Sequence, residues 1–248
     1  MLDLITVAAF TLPKSHEKVN EDSLLLPVKK KNGFAFAIAD GVGSYAGASN
    51  ASQLVVEYFN KSDDYPFSDV ETTLKTLNSK LGTLEELDQN FYKAATTLTL
   101  GYIDEKGLHI VHIGDSRLYL KKEQKLIQLT KDHTQHQKLL DAGLFTERQL
   151  KKMPGKNILM AALSSHINLE FQFSFIELSE LIDENNEIVL NIMSDGAYEF
   201  WEKKPKFSIN TMSSPTAFST SLLKRIQKNG PTDDHSLISM KFRTNTIG

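Results

Sequence analysis

Apolar and polar positions alternate with a period of two over Ile5–Thr11 and again over Ser23–Val28, the spacing of half-buried strands. Phe34-Ala35-Phe36-Ala37-Ile38-Ala39 is apolar throughout, as a strand covered on both faces must be, and it stops at the turn signal Asp40-Gly41. The period then changes. Between Gly47 and Asn60, the residues Ala48, Ala51, Leu54, Val55, Tyr58 and Phe59 recur at helical spacing. A polar break through Lys61 to Ser68, with Pro66 inside it, precedes a second helical stretch from about Val70 to Tyr92. Leu74, Leu77, Leu81, Leu84 and Leu87 form its stripe. The stripe is short and interrupted by Gly82, so it reads as a core-facing surface and not as a coiled coil.

Strand patterns resume at Ala95–Ile103, turn at Asp104-Glu105-Lys106-Gly107 and continue over Leu108–Ile113, which predicts a hairpin. Leu118–Lys121 and Leu126–Leu129 predict another. His136–Leu140 and Glu147–Lys151 are short helix candidates ending near Met153-Pro154-Gly155. Phe171–Leu178 and Ile188–Met193 read as strands, and a helix over Thr216–Lys228 precedes a last strand at Ser236–Phe242. About ten strands, with two helices together and one late, depart from strict βαβα alternation and predict an α+β fold with antiparallel sheets.

Composition narrows the chemistry. A chain of 248 residues fits one large domain or two small ones, and no boundary shows, so one domain spanning 1–248 is expected. There is no cysteine, which excludes disulfides, thiolate zinc sites and cysteine nucleophiles. Any metal site must use oxygen or imidazole ligands, a set that favours hard cations. The formal charge of −3 argues against binding by neutralisation of a nucleic-acid backbone. Lys29-Lys30-Lys31 before Asn32-Gly33 reads as a solvated turn between strands. No stretch reaches the roughly 18–20 apolar residues of a membrane span, and the N-terminal segment reads as a first strand and not a signal peptide. A cytoplasmic monomer with no nucleic-acid or membrane partner is the expectation.

The chemistry-bearing regularity lies in where the aspartates fall. Asp40-Gly41 closes the Phe34–Ala39 strand, Gly114-Asp115-Ser116 closes Leu108–Ile113, and Ser194-Asp195-Gly196 closes Ile188–Met193. Asp233-Asp234 opens the last strand and Glu21-Asp22 an early one. One Asp-Gly after a strand reads as a plain turn. Several gathered together would repel by roughly 4 kcal/mol per pair at 4 Å and an effective dielectric near 20. If these strand ends converge, cations must neutralise them.

Six segments in order carry a resemblance: Asn20-Glu21-Asp22-Ser23, Ala39-Asp40-Gly41-Val42-Gly43, Gly114-Asp115-Ser116-Arg117, Leu129-Thr130-Lys131-Asp132-His133-Thr134, Ser194-Asp195-Gly196 and Asp233-Asp234-His235-Ser236. Together, from about residue 5 to 242, they resemble the PPM family, the type 2C metal-dependent serine/threonine protein phosphatases, in a compact bacterial form. The resemblance implies a central β-sandwich of two antiparallel sheets flanked by pairs of α-helices, with metals in a channel at one end. It implies two core Mn²⁺ or Mg²⁺ ions bridged by Asp40, with the Gly41 carbonyl completing one and Asp195 and Asp233 ligating the other. Glu21 and Asp22 would hold metal-bound waters, and Asp115 with Asp195 matches a third, weaker site. Asp40, Asp195 and Asp233 would thus carry catalysis, a water activated between two ions attacking phosphorus with no covalent enzyme intermediate. The implied substrate is a protein phosphorylated by a serine/threonine kinase.

The chain departs from this pattern in places. Glu17 occupies the position of a phosphate-gripping arginine, leaving Lys18 or Lys14 as substitutes, although lysine lacks the planar fork of arginine. Val42 replaces a histidine found in some members, Gly43-Ser44 a double glycine, and Asn157–Ser164 an arginine-containing stretch. A variable flap is expected around 139–165, where Leu144, Phe145 and Met153 read as packing of a small helix, with contact to a protein partner as the alternative. His133 and His136 lack a third ligand at zinc spacing, and His109 and His112 on one strand point to opposite faces. Trp201 reads as core, and Arg117 as a loop anchor. Two alternatives stay open: a phosphatase-like binding protein without turnover, favoured by the missing arginine, and a metal-dependent esterase for small phosphorylated metabolites.

Overall fold

The structure, a computed structural model, describes residues 1–62 and 67–244. Within the expected polar break, residues 63–66 therefore lie outside the described residues. Among the described residues, ten strands form two five-stranded antiparallel sheets. One has the order β1 (Leu2–Leu12), β10 (His235–Thr244), β9 (Glu187–Met193), β6 (Arg117–Lys122), β7 (Lys125–Gln128). The other runs β2 (Asp22–Lys30), β3 (Gly33–Asp40), β4 (Leu98–Asp104), β5 (Gly107–Ile113), β8 (Gln172–Glu177). The chain's α+β sandwich thus follows the strand patterns, with boundaries shifted by a few residues.

The period-two pattern of β3 sorts its side chains between two cores. Phe36 and Ile38 face the space between the sheets, where they meet Ile110, Leu190, Ile192 and Met240. Ala35, Ala37 and Ala39 face outward, where their small side chains let α1 (Ala48–Lys61) and α2 (Val70–Gly82) approach through Val55, Phe59, Leu74 and Leu77. The opposite sheet is covered by α6 (Asp195–Glu202) and α8 (Pro215–Asn229), through Tyr198, Trp201, Phe218 and Leu222. Shorter helices complete the chain: α3 (Gln135–Asp141), α4 (Glu147–Leu150), α5 (Leu178–Leu181) and α7 (Ile209–Met212). No helix among the described residues is long and apolar enough to cross a membrane.

Several expectations are corrected. The helix expected from Val70 to Tyr92 ends at Gly82 and continues only as 3₁₀ turns over Thr83–Glu86 and Gln89–Lys93. Leu87 accordingly leaves the stripe and is exposed. The Lys29–Lys31 run is not simply a solvated turn: Lys30 is buried, and its ammonium donates to the carbonyl of Asn60 at 2.8 Å and to that of Ser62. It thereby satisfies carbonyls at the negative C-terminal end of α1. In the flap segment Leu144 is 65% exposed and Met153 37%, so the packing expected of them does not occur. Helix α6 was not anticipated, because Ser194-Asp195-Gly196 looks like a turn until Phe200 and Trp201 are seen to pack beneath α8.

Candidate metal centre

The acidic residues reach one end of the sandwich by different routes. Asp22 opens β2 and Asp40 closes β3, and antiparallel pairing sets the two directly opposite each other, so their side chains share a face. Asp195 is the first residue of α6, separated from β9 by Ser194 alone, where the positive end of the helix favours a carboxylate. Asp233 and Asp234 precede β10, the neighbour of β9. Asp115 lies in the turn that carries the chain from β5 in one sheet to β6 in the other. Glu21, Asp40, Asp115, Asp195, Asp233 and Asp234 line a single cavity of about 320 Å³, together with Gly41. Asp22 is buried just behind it.

Backbone and hydroxyl contacts hold these positions. The Asp40 N–H donates to Thr97 Oγ1 at 3.0 Å, while its carbonyl accepts from the Thr97 N–H at 2.7 Å and the Thr96 hydroxyl at 2.9 Å. The Ser194 hydroxyl donates to Asp22 at 2.8 Å and accepts the Ser236 N–H at 2.9 Å, joining three strands. The Asp234 carboxylate accepts the backbone N–H groups of Lys14 and Glu21, both at 2.7 Å, and so ties the β1–β2 connection to the start of β10. A Cβ at Gly196 would stand 2.0 Å from the Asp234 carbonyl oxygen, so only glycine lets the first turn of α6 seat there. Gly114 adopts φ 105°, a conformation that favours glycine, and its carbonyl accepts the His133 N–H at 2.7 Å.

The consequence is a set of carboxyls that resist ionisation. Burial raises Asp40 well above the usual carboxylate range, and Asp22, Asp195, Asp115 and Asp233 push it further. Asp115 is pushed up to about 8, first by burial and then by Asp195 and Asp132, against the pull of Arg117. Asp22 rises to about 7 because burial outweighs the hydrogen bonds from Ser236 and Ser194. Asp195 rises to about 6, through burial and then Asp233 and Glu199. Glu21 is raised by burial and by Asp234 and Asp233, while Lys18 opposes them. Desolvation and mutual repulsion are the two causes that divalent cations relieve. The donor set is all oxygen, which suits Mg²⁺ or Mn²⁺. Among the described residues no three acidic or imidazole side chains stand close enough to form a ligand shell by themselves. An ion held here would share its coordination among one or two carboxylates, a backbone carbonyl and waters, as Mg²⁺ characteristically does.

Other residues fall outside the cavity or add to it. Lys14 and Lys18 are exposed, and neither lines it. Lys156, which the sequence pattern did not single out, pairs with Glu199 at 2.5 Å and lowers the Asp195 carboxyl electrostatically. Arg117 is fully engaged. It meets Asp132 through Nε at 2.9 Å and Nη2 at 2.6 Å, Glu202 through Nη1 at 2.9 Å, and lies 3.9 Å from the ring centre of Tyr198. This is the expected anchor, since it ties the Asp115 turn to the segment before α3. His136 bonds the Pro154 carbonyl at 3.0 Å and His133 the Gly114 N–H at 3.3 Å, so the two histidines are committed separately. His109 and His112 do face opposite sides of β5, the first against Phe175 and the second buried against Thr99.

A family model described as protein phosphatase 2C matches residues 14–237, and the chain belongs to that family. Among curated relatives it is similar to the serine/threonine protein phosphatase PstP of Mycobacterium tuberculosis, 34% identical over 152 residues. That match takes in 59% of this chain and only 29% of PstP, so the chain spans less than a third of that relative. It is also similar to the protein phosphatase PhpP of Streptococcus pneumoniae, 25% identical over 236 residues, covering 89% of this chain and 90% of PhpP. The catalytic domain of PstP in complex with two manganese ions superposes with a TM-score of 0.73 at 25% identity, over 98% of this chain and 100% of that one. The S. agalactiae serine/threonine phosphatase shares the fold, with a TM-score of 0.78 at 19% identity, over 99% of this chain and 100% of that one.

Proposed function

We propose that this chain is a metal-dependent protein phosphatase that hydrolyses phosphoserine and phosphothreonine in proteins, with two Mn²⁺ or Mg²⁺ ions at the carboxylate cavity. The observation that carries this reading is the convergence of Asp40, Asp115, Asp195 and Asp233 on one cavity, with Asp40, Asp115 and Asp195 all held above the ordinary carboxylate range. The manganese-bound PstP domain supports it. In this reading Asp40 and the Gly41 carbonyl, with Asp195 and Asp233, would hold the two core ions, Glu21 and Asp22 would orient waters, and Asp115 with Asp195 would hold a third ion. Divalent cations at such a site neutralise a phosphate dianion and acidify water.

The chain's own residues do the positioning. Ser194 and Ser236 fix the Asp22 carboxyl, the Thr96–Thr97 contacts fix Asp40, and Asp234 fixes the loop that carries Glu21. No side-chain nucleophile is required. Lys18 and Lys14 meet the substrate phosphate from the β1–β2 connection, in place of an arginine. Residues 1–248 act as one catalytic domain whose flap, around 139–165, borders the cavity and selects substrates. The protein works as a cytoplasmic monomer opposite a serine/threonine kinase. Mn²⁺-dependent hydrolysis of p-nitrophenyl phosphate, abolished by Asp40→Asn, is the expected result; equal hydrolysis by the variant would overturn the assignment.

A second reading, a phosphatase-like binding protein without turnover, draws on the exposure of Lys14 and Lys18, neither of which lines the cavity. It predicts binding of a phosphothreonine peptide with no Mn²⁺-dependent release of phosphate. Comparing that peptide with sugar phosphates separates a protein substrate from a small metabolite.

A further inference from the structure

A second cavity, of about 400 Å³, adjoins the carboxylate cavity and has the opposite character. The two share a wall formed by Val42, Ser44, Asn157 and Leu159. Beyond that wall the second cavity is closed by Tyr45, Ile158, Met160 and Ile167, and no Asp, Glu, Lys, Arg or His lines it. Ile158 is 52% exposed and Met160 40% exposed, at its lip.

The exposure of these two side chains is imposed by the backbone. The Gln135 N–H donates to the Ile158 carbonyl at 2.9 Å, the Met160 N–H to the His133 carbonyl at 2.8 Å, and the Leu163 N–H to the Thr96 carbonyl at 2.8 Å. Thr134 bridges Leu159, and Thr96 bridges Leu163. The segment is therefore tethered on both sides. It cannot rotate Ile158 and Met160 into the core without giving up those bonds. A tethered apolar lip beside a charged site is the arrangement of a binding pocket, in which apolar walls supply affinity and a few polar groups fix orientation.

Resting on the phosphatase reading above, we propose that this cavity is a subsite for a bulky apolar side chain within two residues of the phosphorylated residue. The substrate class is accordingly a phosphopeptide with leucine, isoleucine, methionine or phenylalanine beside the phosphoserine or phosphothreonine. The argument is continuity. A phosphate drawn to the carboxylate cavity leaves the flanking residues of its peptide against the shared wall. A charged side chain would lose its hydration there without gaining a partner, whereas an apolar one fills the space and covers Ile158 and Met160. Full burial of such a side chain corresponds to a preference of about ten- to a hundredfold, and partial burial to about tenfold.

The test uses Mn²⁺-loaded protein and phosphoserine peptides in a glycine background. Leucine, glutamate, lysine or glycine is placed in turn at each of the two positions on either side. Both kcat/KM and Kd by fluorescence anisotropy are read. Leucine at one position should raise kcat/KM about tenfold over glycine, mainly through KM, and Ile158→Ser with Met160→Ser should bring that ratio to about one. Turnover with no apolar preference at any position, or a preference that survives both substitutions, overturns the subsite and leaves the phosphatase reading standing. Tighter binding of the leucine peptide with no turnover supports the subsite while overturning the phosphatase reading.

Discussion

Removing one carboxylate from the cavity should stabilise the metal-free protein and weaken its response to metal. Asp195 is the residue to change, because its folded-state value of about 6 can be set against an ordinary 3.8. That gap corresponds to about 3 kcal/mol at 1.36 kcal/mol per pKa unit. Its causes are burial first, then Asp233 and Glu199. The sign follows from the folded-state value being the higher one. The contribution is fully present below 3.8 and is lost as pH rises through 6, since the unfolded chain releases its proton first. Asp115 and Asp22, raised to about 8 and about 7, act in the same direction over a wider range. Metal-free wild type should therefore lose stability steadily between about pH 4 and 8. At pH 7.5, Asp195→Asn should be more stable than wild type by at most about 3 kcal/mol, equivalent to about 6–12 °C in Tm for a chain of this size. With Mn²⁺ the order should reverse. A ligand at about a thousand times its Kd adds about 4.1 kcal/mol to the folded state, more than the deficit of about 3 kcal/mol, and the variant, with a neutral amide in place of the Asp195 carboxylate, should gain far less. Differential scanning fluorimetry across pH 4–8, with and without MnCl₂, reads both effects. If the metal-free variant is no more stable than wild type at neutral pH, or gains as much from Mn²⁺, the carboxylates do not form a mutually repelling cation site.

Other perturbations test separate links. Asp132→Ala removes the two-point partner of the Arg117 guanidinium, 13% exposed, leaving Glu202 and Tyr198, and should cost about 3 kcal/mol in urea unfolding; a loss below about 1 kcal/mol would mean that Glu202 and Tyr198 suffice. Lys30→Met frees the Asn60 and Ser62 carbonyls at the end of α1 and should cost about 1–3 kcal/mol by the same measurement. Gly196→Ala, which would set a methyl 2.0 Å from the Asp234 carbonyl oxygen, should displace the first turn of α6 and lower Mn²⁺ affinity in calorimetry; unchanged affinity would show that the close approach does not position Asp195. Alanine at both Lys14 and Lys18 should raise KM for a phosphopeptide about tenfold, and unchanged kinetics would assign the phosphate contact elsewhere, with Lys156 beside Asp195 the next basic residue to test.

How much of this was legible before folding can be followed through particular residues. The unbroken apolar run Phe34–Ala39 announced a strand covered on both sides, and β3 does divide Phe36 and Ile38 from Ala35 and Ala37 between two cores. Aspartates at strand ends were visible as positions. Periodicity records which side of an element is buried, and burial of that kind is decided within ten residues. Helix α6 is not legible in the sequence because an eight-residue helix displays barely two turns of pattern, and its packing partners, Phe218 and Leu222, lie in another element. Lys30 looked solvated because nothing nearby in sequence shows that the end of α1 stands over it.

The sequence by itself therefore determined the strands, the main helices, the absence of thiol chemistry and the residue types available for a cation. Only the tertiary structure decided that the carboxylates share one cavity. Asp22 faces Asp40 through strand register, Ser194 reaches Asp22 across 172 positions of chain, and Asp234 holds the N–H groups of Lys14 and Glu21 from more than 200 positions away. It also decided that Lys14, Lys18 and Lys156 all stand outside the lining of the cavity, while Lys18 acts on Glu21 and Lys156 on Asp195 through space. The physical reason is that repulsion and desolvation act over a few ångströms of space and are indifferent to separation along the chain. Their strength is set by sheet pairing and by the connections that cross between sheets, which no local pattern encodes.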